Sequence, residues 1–198
     1  GWTDRMVVRA QLDAVVHGEP VVVGTGTSWQ THDSGRYRIG GNKWDDFGGE
    51  RVDARETIDG WSRPGFDASD WHAVVDARPP KGPLRAQPCP LNRLGESVAA
   101  VGVKPLDGGR YQFDFGTNLT GWLRLKMPRL APGTVVSMTF ADVGPDGNLK
   151  QKGKYQDFNQ VSEFVSSGKP EEVFEHKFNY AGFRYVIVSG LPEAPAKE

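Results

Sequence analysis

Alternation of apolar and polar residues with a period of two limits most strongly what this chain can fold into. Tyr111, Phe113 and Phe115 alternate with Gln112 and Asp114, and Leu123, Leu125 and Met127 with Arg124 and Lys126. Val136, Met138 and Phe140 alternate with Ser137 and Thr139, and Phe174, His176 and Phe178 with Glu175 and Lys177. Successive side chains of a strand point to opposite faces, so each segment reads as a strand with one buried face. Met6–Leu12, Pro20–Val23 and Arg184–Val188 read as further strands, the last buried on both sides. Asp107-Gly108-Gly109, Ala131-Pro132-Gly133, Pro145-Asp146-Gly147 and Ser167-Gly168-Lys169-Pro170 are turns between them. The expected fold is all-β: a jelly-roll β-sandwich of two antiparallel sheets, with residues 1–198 as one domain. Phe66–Trp71 is expected to form a short helical turn capped by Asp67.

Composition narrows the functional class. A net charge of −1 lacks the basic face of a nucleic-acid binder, and no run nears the length of a membrane span. Cys89 is the single cysteine, so no disulfide forms within the chain. No leader is visible, and Gly1 reads as the start of a mature chain or an excised domain. Five prolines in Val75–Pro90 forbid a central strand, which leaves either a crossover between sheets or a functional loop.

Signatures of catalysis are weak. Gly26-Thr27-Ser28-Trp29 lacks the closing glycine of a nucleophile elbow, and Gly24-Thr25-Gly26 lacks the third glycine of a dinucleotide loop. No paired Cys/His zinc pattern is present, and His176, on an apolar strand face, reads as a core histidine. The tightest acidic group is Asp45, Asp46 and Glu50, with Asp53 nearby. Adjacent carboxylates repel one another, and a hard cation is one reason to keep them together. Gly48-Gly49 supplies the bend that would wrap oxygens round such an ion. A solvated turn is the alternative. Glu50, Asp53 and Arg55 are expected to form an internal ion-pair network, or Glu50 to reach the ion itself.

Four segments, in order and over nearly the whole chain, resemble the accessory β-sandwich domains of bacterial α-L-rhamnosidases. They are Gly49-Glu50-Arg51-Val52-Asp53-Ala54-Arg55 with Gly60-Trp61, then Gly65-Phe66-Asp67-Ala68-Ser69-Asp70-Trp71, then Asp114–Trp122, and finally Phe178–Val186. The resemblance implies a non-catalytic domain, because the helical catalytic barrel of those enzymes has no counterpart here. Some of these domains form carbohydrate-binding module family 67, which holds L-rhamnose through calcium. In that subset an Asp-Asn pair before the double glycine grips the ion, and Asp45-Asp46 stands in its place. The same resemblance implies Asn92 and the carbonyl of Pro90 as further calcium ligands and Asn118 as a sugar contact.

Trp44, beside the acidic pair, is either the apolar wall for the sugar's methyl group or a core residue. Trp61, Trp71 and Trp122 are expected in the core. Asn118-Leu119-Thr120 fits the N-glycosylation pattern. The reading is therefore a secreted, calcium-dependent module for terminal L-rhamnose on a polysaccharide or glycoside, working beside other domains of a parent enzyme. The alternatives are a structural domain that buttresses a rhamnosidase barrel, and a small glycan-cleaving enzyme using Asp45, Asp46 or Glu50.

Overall fold

The computed structural model describes residues 7–40, 48–77, 88–91, 93–142 and 160–193. Trp44, Asp45, Asp46 and Asn92, and the turn expected at Pro145–Gly147, lie outside the described residues. The chain divides into two compact units, residues 1–33 with 59–94, and residues 34–58 with 95–198. Among the described residues the architecture is all-β. Its one helical element is a 3-10 turn, Ala54–Glu56, and no helix is long and apolar enough to cross a membrane.

In the first unit, β1 (Gln11–Val16) and β2 (Glu19–Gly24) form an antiparallel hairpin. The two residues between them, His17 and Gly18, both have positive φ, 53° and 88°. That backbone twist matches the flanking strands and fixes their register. It also places β1 later in the chain than the expected Met6–Leu12, because the turn rather than the hydrophobic run decides where pairing begins. A short pair, β3 (Gln30–Thr31) with β6 (His72–Ala73), completes the described strands of this unit. No helix forms at Phe66–Trp71. Asp67 Oδ1 accepts from Ser69 N at 3.0 Å, and Trp71 N donates to the Ala68 carbonyl at 3.0 Å, which makes one isolated turn. Phe66 and Trp71 then meet edge to face at 5.7 Å, and His32 lies 5.7 Å from the same indole.

The second unit is built on a seven-stranded sheet. Its strands are β4 (Arg36–Ile39), β5 (Gly49–Asp53), β7 (Gly102–Leu106), β8 (Arg110–Gly121), β10 (Val135–Ala141), β11 (Val161–Val165) and β13 (Ala181–Ser189). Across the sheet the order is β4-β5-β11-β10-β13-β8-β7, antiparallel except for the parallel pair β5–β11. The apolar positions of the alternating segments share one face. Val188 lies between Met138 and Tyr111, Val186 between Phe140 and Phe113, and Phe164 between Val136 and Val52.

A second layer, β9 (Arg124–Lys126) paired with β12 (Val173–Glu175), covers that face. It brings Leu125 and Phe174 into register and buries them with Leu123, Met127 and Leu130. The sandwich is therefore the one the period-2 pattern predicts. On β13, Tyr185, Val186, Ile187 and Val188 are all buried, so the reading of a strand covered on both sides holds. The expected strand at Phe174–Phe178 stops at Glu175, and Phe178 is 84% exposed. The His176 N–H still reaches the Leu123 carbonyl at 3.3 Å, and the backbone leaves the ladder after it, where the Lys177 and Phe178 N–H groups serve a buried carboxylate instead.

Phe164, 1% exposed at the centre of the sheet, sets a stability test. Phe164→Ala should lower unfolding free energy by about 3–5 kcal/mol through lost burial and the cavity left behind. Val22→Ala on the exposed hairpin should change it by less than about 0.5 kcal/mol. Urea denaturation followed by fluorescence and circular dichroism measures both.

Candidate functional site

At the start of β5 the chain passes through Gly48 at φ +68°, the bend expected of the double glycine. Gly49 serves a separate purpose. A Cβ there would lie 1.6 Å from the Val161 carbonyl oxygen, so the parallel β5–β11 pairing admits no side chain. Glu50 follows and is 3% exposed. Its Oε1 accepts from the Arg36 guanidinium, and its Oε2 accepts from the backbone N–H groups of Lys177 and Phe178 at 3.0 and 3.1 Å. Arg36 also donates to the Glu175 carbonyl at 3.1 Å. Burial raises the Glu50 pKa, yet these N–H donors and the nearby cation outweigh it and hold the carboxyl below its ordinary value of 4.5. Both oxygens are thus engaged within the fold.

The other buried carboxylate, Asp53, is a separate pair. Arg55 donates to Asp53 through Nε at 2.9 Å and Nη2 at 2.6 Å, and its backbone N–H caps the 3-10 turn on Oδ1 at 3.1 Å. Glu50 and Asp53 are an odd number of residues apart on one strand, so they face opposite sides of the sheet and form no common network. Arg36, the true partner of Glu50, was not foreseen. The only hint in the sequence is the Arg36/Arg38 alternation on the neighbouring strand.

Beside Glu50, His176 is 1% exposed. Its Nδ1 accepts from Leu123 N at 3.0 Å, so the ring proton sits on Nε2, which donates to Ser162 Oγ at 2.9 Å. Ser162 Oγ also accepts from Glu50 N at 3.2 Å. Phe140 and Phe174 pack on the imidazole, with ring centroids 5.4 and 4.9 Å away. Desolvation lowers the His176 pKa to about 4 and so keeps the ring neutral. It is a satisfied core histidine, as its strand position predicts.

Outward from this core a narrow cleft of about 10 Å³, room for about one water, opens at Gly48, bounded among the described residues by Gln160, Ser162, Asn179, Tyr180 and Ala181, with Phe140 and His176 at its base. Asn179 Nδ2 donates to the Gly48 carbonyl at 3.4 Å, and Gln160 Oε1 accepts from Gly182 N at 3.3 Å. Tyr180 is 63% exposed.

Of the residues expected to hold calcium or sugar, Pro90 and Asn118 are described. Pro90 is exposed in the first unit, and Asn118 is exposed on β8 in the second. Among the described residues no group of three or more His, Cys, Asp or Glu is gathered that could hold a metal. Two of the recognised segments instead clasp each other. Arg184 donates to both oxygens of Asp114 at 2.9 and 3.1 Å, beside the register shift that joins β8 to β13. Of the three tryptophans expected in the core, Trp71 is half-buried and the other two are exposed. Trp61 is 62% exposed, and Trp122 is 37% exposed with Lys177 Nζ 5.7 Å over its ring.

Comparison with known proteins matches residues 1–96 to the α-L-rhamnosidase N-terminal domain and residues 104–198 to the bacterial α-L-rhamnosidase concanavalin-like domain. An α-L-rhamnosidase of Streptomyces avermitilis is 33% identical over 75% of this chain and 14% of its own length. One of Alteromonas is 29% identical over 88% of this chain and 18% of its own length. Among solved structures, an α-L-rhamnosidase from Dictyoglumus thermophilum superposes with a TM-score of 0.77 at 26% identity, over 91% of this chain and 20% of that one. The Streptomyces avermitilis α-L-rhamnosidase complexed with L-rhamnose gives 0.72 at 29% identity, over 94% and 18%. The chain spans 14–21% of the length of the relatives it matches.

The buried histidine yields a pH test. Its pKa falls from 6.5 to about 4 on folding, so the unfolded chain binds the proton first as pH drops. The neutral ring's contribution is complete above 6.5 and is lost as pH falls toward 4, by about 3 kcal/mol. Unfolding free energy measured from pH 7 to 4 should fall accordingly, and more shallowly in His176→Asn. Glu50→Gln should cost about 3 kcal/mol at pH 7, because it leaves the Arg36 cation without its partner. Denaturant titration reads both.

Proposed function

We propose that this chain, homologous to the N-terminal and concanavalin-like domains of α-L-rhamnosidases, is an accessory part of such an enzyme that binds terminal L-rhamnose through calcium. Family module 67 is the closest description of that activity. The observation that carries the reading is the anchoring downstream of the acidic pair. The Asp45-Asp46 pair ends two residues before Gly48, whose carbonyl accepts from Asn179, and Gly48 leads into β5, where Gly49 makes a glycine-only contact and Glu50 is clasped. A cation site gains affinity when little chain must be ordered on binding. Carboxylates from Asp45 and Asp46 are hard oxygen donors suited to calcium.

Two vicinal hydroxyls of the sugar would complete the coordination, with Trp44 as the wall for its methyl group and Asn118 as a further polar contact. The role is binding rather than cleavage, and Glu50, tied inside the fold, is unsuited to acid–base work. The expected setting is extracellular, on rhamnose-terminated polysaccharide or glycoside, with the remaining domains of the parent enzyme as partners.

The structural reading, a domain that buttresses a catalytic barrel, has one observation in its favour. Leu12, Val15, Val22 and Val23 on the β1–β2 hairpin are 47–74% exposed, a degree of aliphatic exposure that suits contact with protein.

Titration calorimetry separates the two. With calcium present, L-rhamnose should bind with a Kd near the millimolar range expected for a monosaccharide with few contact atoms, about 4 kcal/mol. Excess EDTA should abolish the heat, and the Asp45→Ala, Asp46→Ala double variant should bind at least tenfold more weakly. Equal binding with EDTA, or in the double variant, would refute the calcium reading.

A further inference from the structure

The seven-stranded sheet leaves one stretch of edge without the usual protection. An open edge offers unpaired N–H and C=O groups to any other strand, and proteins blunt such edges with charge, proline or a covering element. At one end of the sheet β4 carries Arg36 and Arg38, and at the other β7 carries Lys104 and Pro105. β7 pairs with β8 only from Arg110 to Asp114, and its cover ends where Val101 N donates to the Asp114 carbonyl at 2.8 Å. Beyond that point, among the described residues, no strand pairs with the outer side of β8. The bared stretch is Phe115-Gly116-Thr117-Asn118-Leu119-Thr120-Gly121, which holds no charged residue and no proline.

That stretch contains the tripeptide Asn118-Leu119-Thr120, and no other asparagine of the chain stands in an N-glycosylation pattern. The fold presents it. Asn118 and Thr120 are exposed, while Leu119 between them is half-buried against the core, so alternation turns both polar members to solvent. Thr120 pairs with Gly182, a residue without a side chain. β8 advances from Asp114 to Leu119 while β13 passes only from Tyr185 to Phe183, so Phe115–Asn118 bulge out of the ladder. Gly116, at φ +77°, makes the turn, and its N–H is held by Asp114 at 2.7 Å. Arg184, the residue of β13 that faces the bulge, is held by both oxygens of the same Asp114. A substituent on the Asn118 amide therefore grows outward from a fixed bulge.

We propose that Asn118 is the attachment point of an N-linked glycan, and that this glycan guards the open edge of β8. The proposal rests on the extracellular setting of the functional reading above, and on neither calcium nor rhamnose. In the transfer, Asn118 Nδ2 forms a bond to the anomeric carbon of an oligosaccharide carried on a lipid pyrophosphate. The anomeric C–O bond breaks, the lipid pyrophosphate leaves with the electron pair, and the amide gives up one proton. A glycan is bulky and hydrated, so a second strand cannot come alongside to the ~4.8 Å spacing of a ladder. In the modified chain the Asn118 amide is no longer a free contact for a ligand, and rhamnose binding falls to the acidic pair and its neighbours.

The test sends the full chain through the secretory compartment of a yeast cell and recovers it from cells and medium. Peptide mass spectrometry should find a glycan on Asn118. Asn118→Gln and Thr120→Val should each lose the glycan mass, and Thr120→Ser should keep it, with circular dichroism spectra like that of the parent. By light scattering at equal concentration, the folded Asn118→Gln chain should aggregate about threefold faster or more than the glycosylated parent. Asn118→Lys, which sets a charge on the edge in place of the glycan, should reverse that acceleration. The proposal is overturned if the recovered chain carries no glycan on Asn118, if Thr120→Val keeps one, or if Asn118→Gln aggregates no faster than the parent. Rhamnose calorimetry is read on separate samples, so failure here leaves the calcium reading standing, and the reverse holds.

Discussion

Much of the second unit depends on one buried carboxylate. Glu50 sits near the sheet edge with almost no exposure, a position that by itself would favour the protonated form. Two backbone N–H groups and one guanidinium reverse that preference, because hydrogen bonds to a charged acceptor are roughly twice as strong as neutral ones. The interaction reaches across 127 residues of sequence and ties β5 to the segment that follows β12. It also explains why β12 is short. The N–H groups of Lys177 and Phe178 cannot serve both a ladder partner and the carboxylate, and the ionised acceptor wins. The diverted chain turns its side chains outward, so Phe178, Asn179 and Tyr180 reach the surface beside Gly48.

The same arrangement shows where sequence reasoning has force and where it fails. Alternation reports which face of a strand meets the core, and the buried set on β10, Val136, Met138 and Phe140, is the one the pattern marks, whereas on β8 Gln112 is buried beside Phe113. It works because the pleat is rigid and a slip of one residue would expose the whole apolar set. Phe178 obeys the pattern in sequence yet lies in water, because a long-range polar bond ends the strand. Arg36 was missed for a related reason: its partner is on another strand, and nothing local distinguishes it from Arg38. Trp61 was misread because membership of a recognisable segment says nothing about which side of the backbone its indole occupies. The acidic pair Asp45-Asp46, Trp44 and Asn92 fall outside the described residues, and the contact of Asn179 with Gly48 was illegible because 131 residues separate them.

The motif segments play two different parts. Asp114 and Arg184, embedded in the second pair of recognisable segments, meet as a bidentate ion pair across β8 and β13. Asp114 also accepts from Gly116 N at 2.7 Å, which fixes the excursion of β8 at the register shift. The pair is part-exposed, so its net contribution to stability is small, but its planar geometry specifies register. Resemblance at these residues therefore reports a shared scaffold. It carries the homology to α-L-rhamnosidases, and it does not by itself transmit a ligand.

Ligand chemistry has to be argued from what the scaffold leaves unused. In the second unit several described acids and bases near the sheet edge are consumed by internal pairs, Arg36 with Glu50 and Lys177 with Glu175 among them. Leftover charge would draw ions and be screened by salt, whereas neutral dipoles discriminate by geometry and are insensitive to it. A monosaccharide gains little affinity from its few contacts, and that weakness is tolerable when the binding chain is tethered to others at high effective concentration. A cation's hold on its carboxylates weakens as competing ions are added, so recognition through a cation carries a signature in ionic strength that recognition by neutral groups lacks.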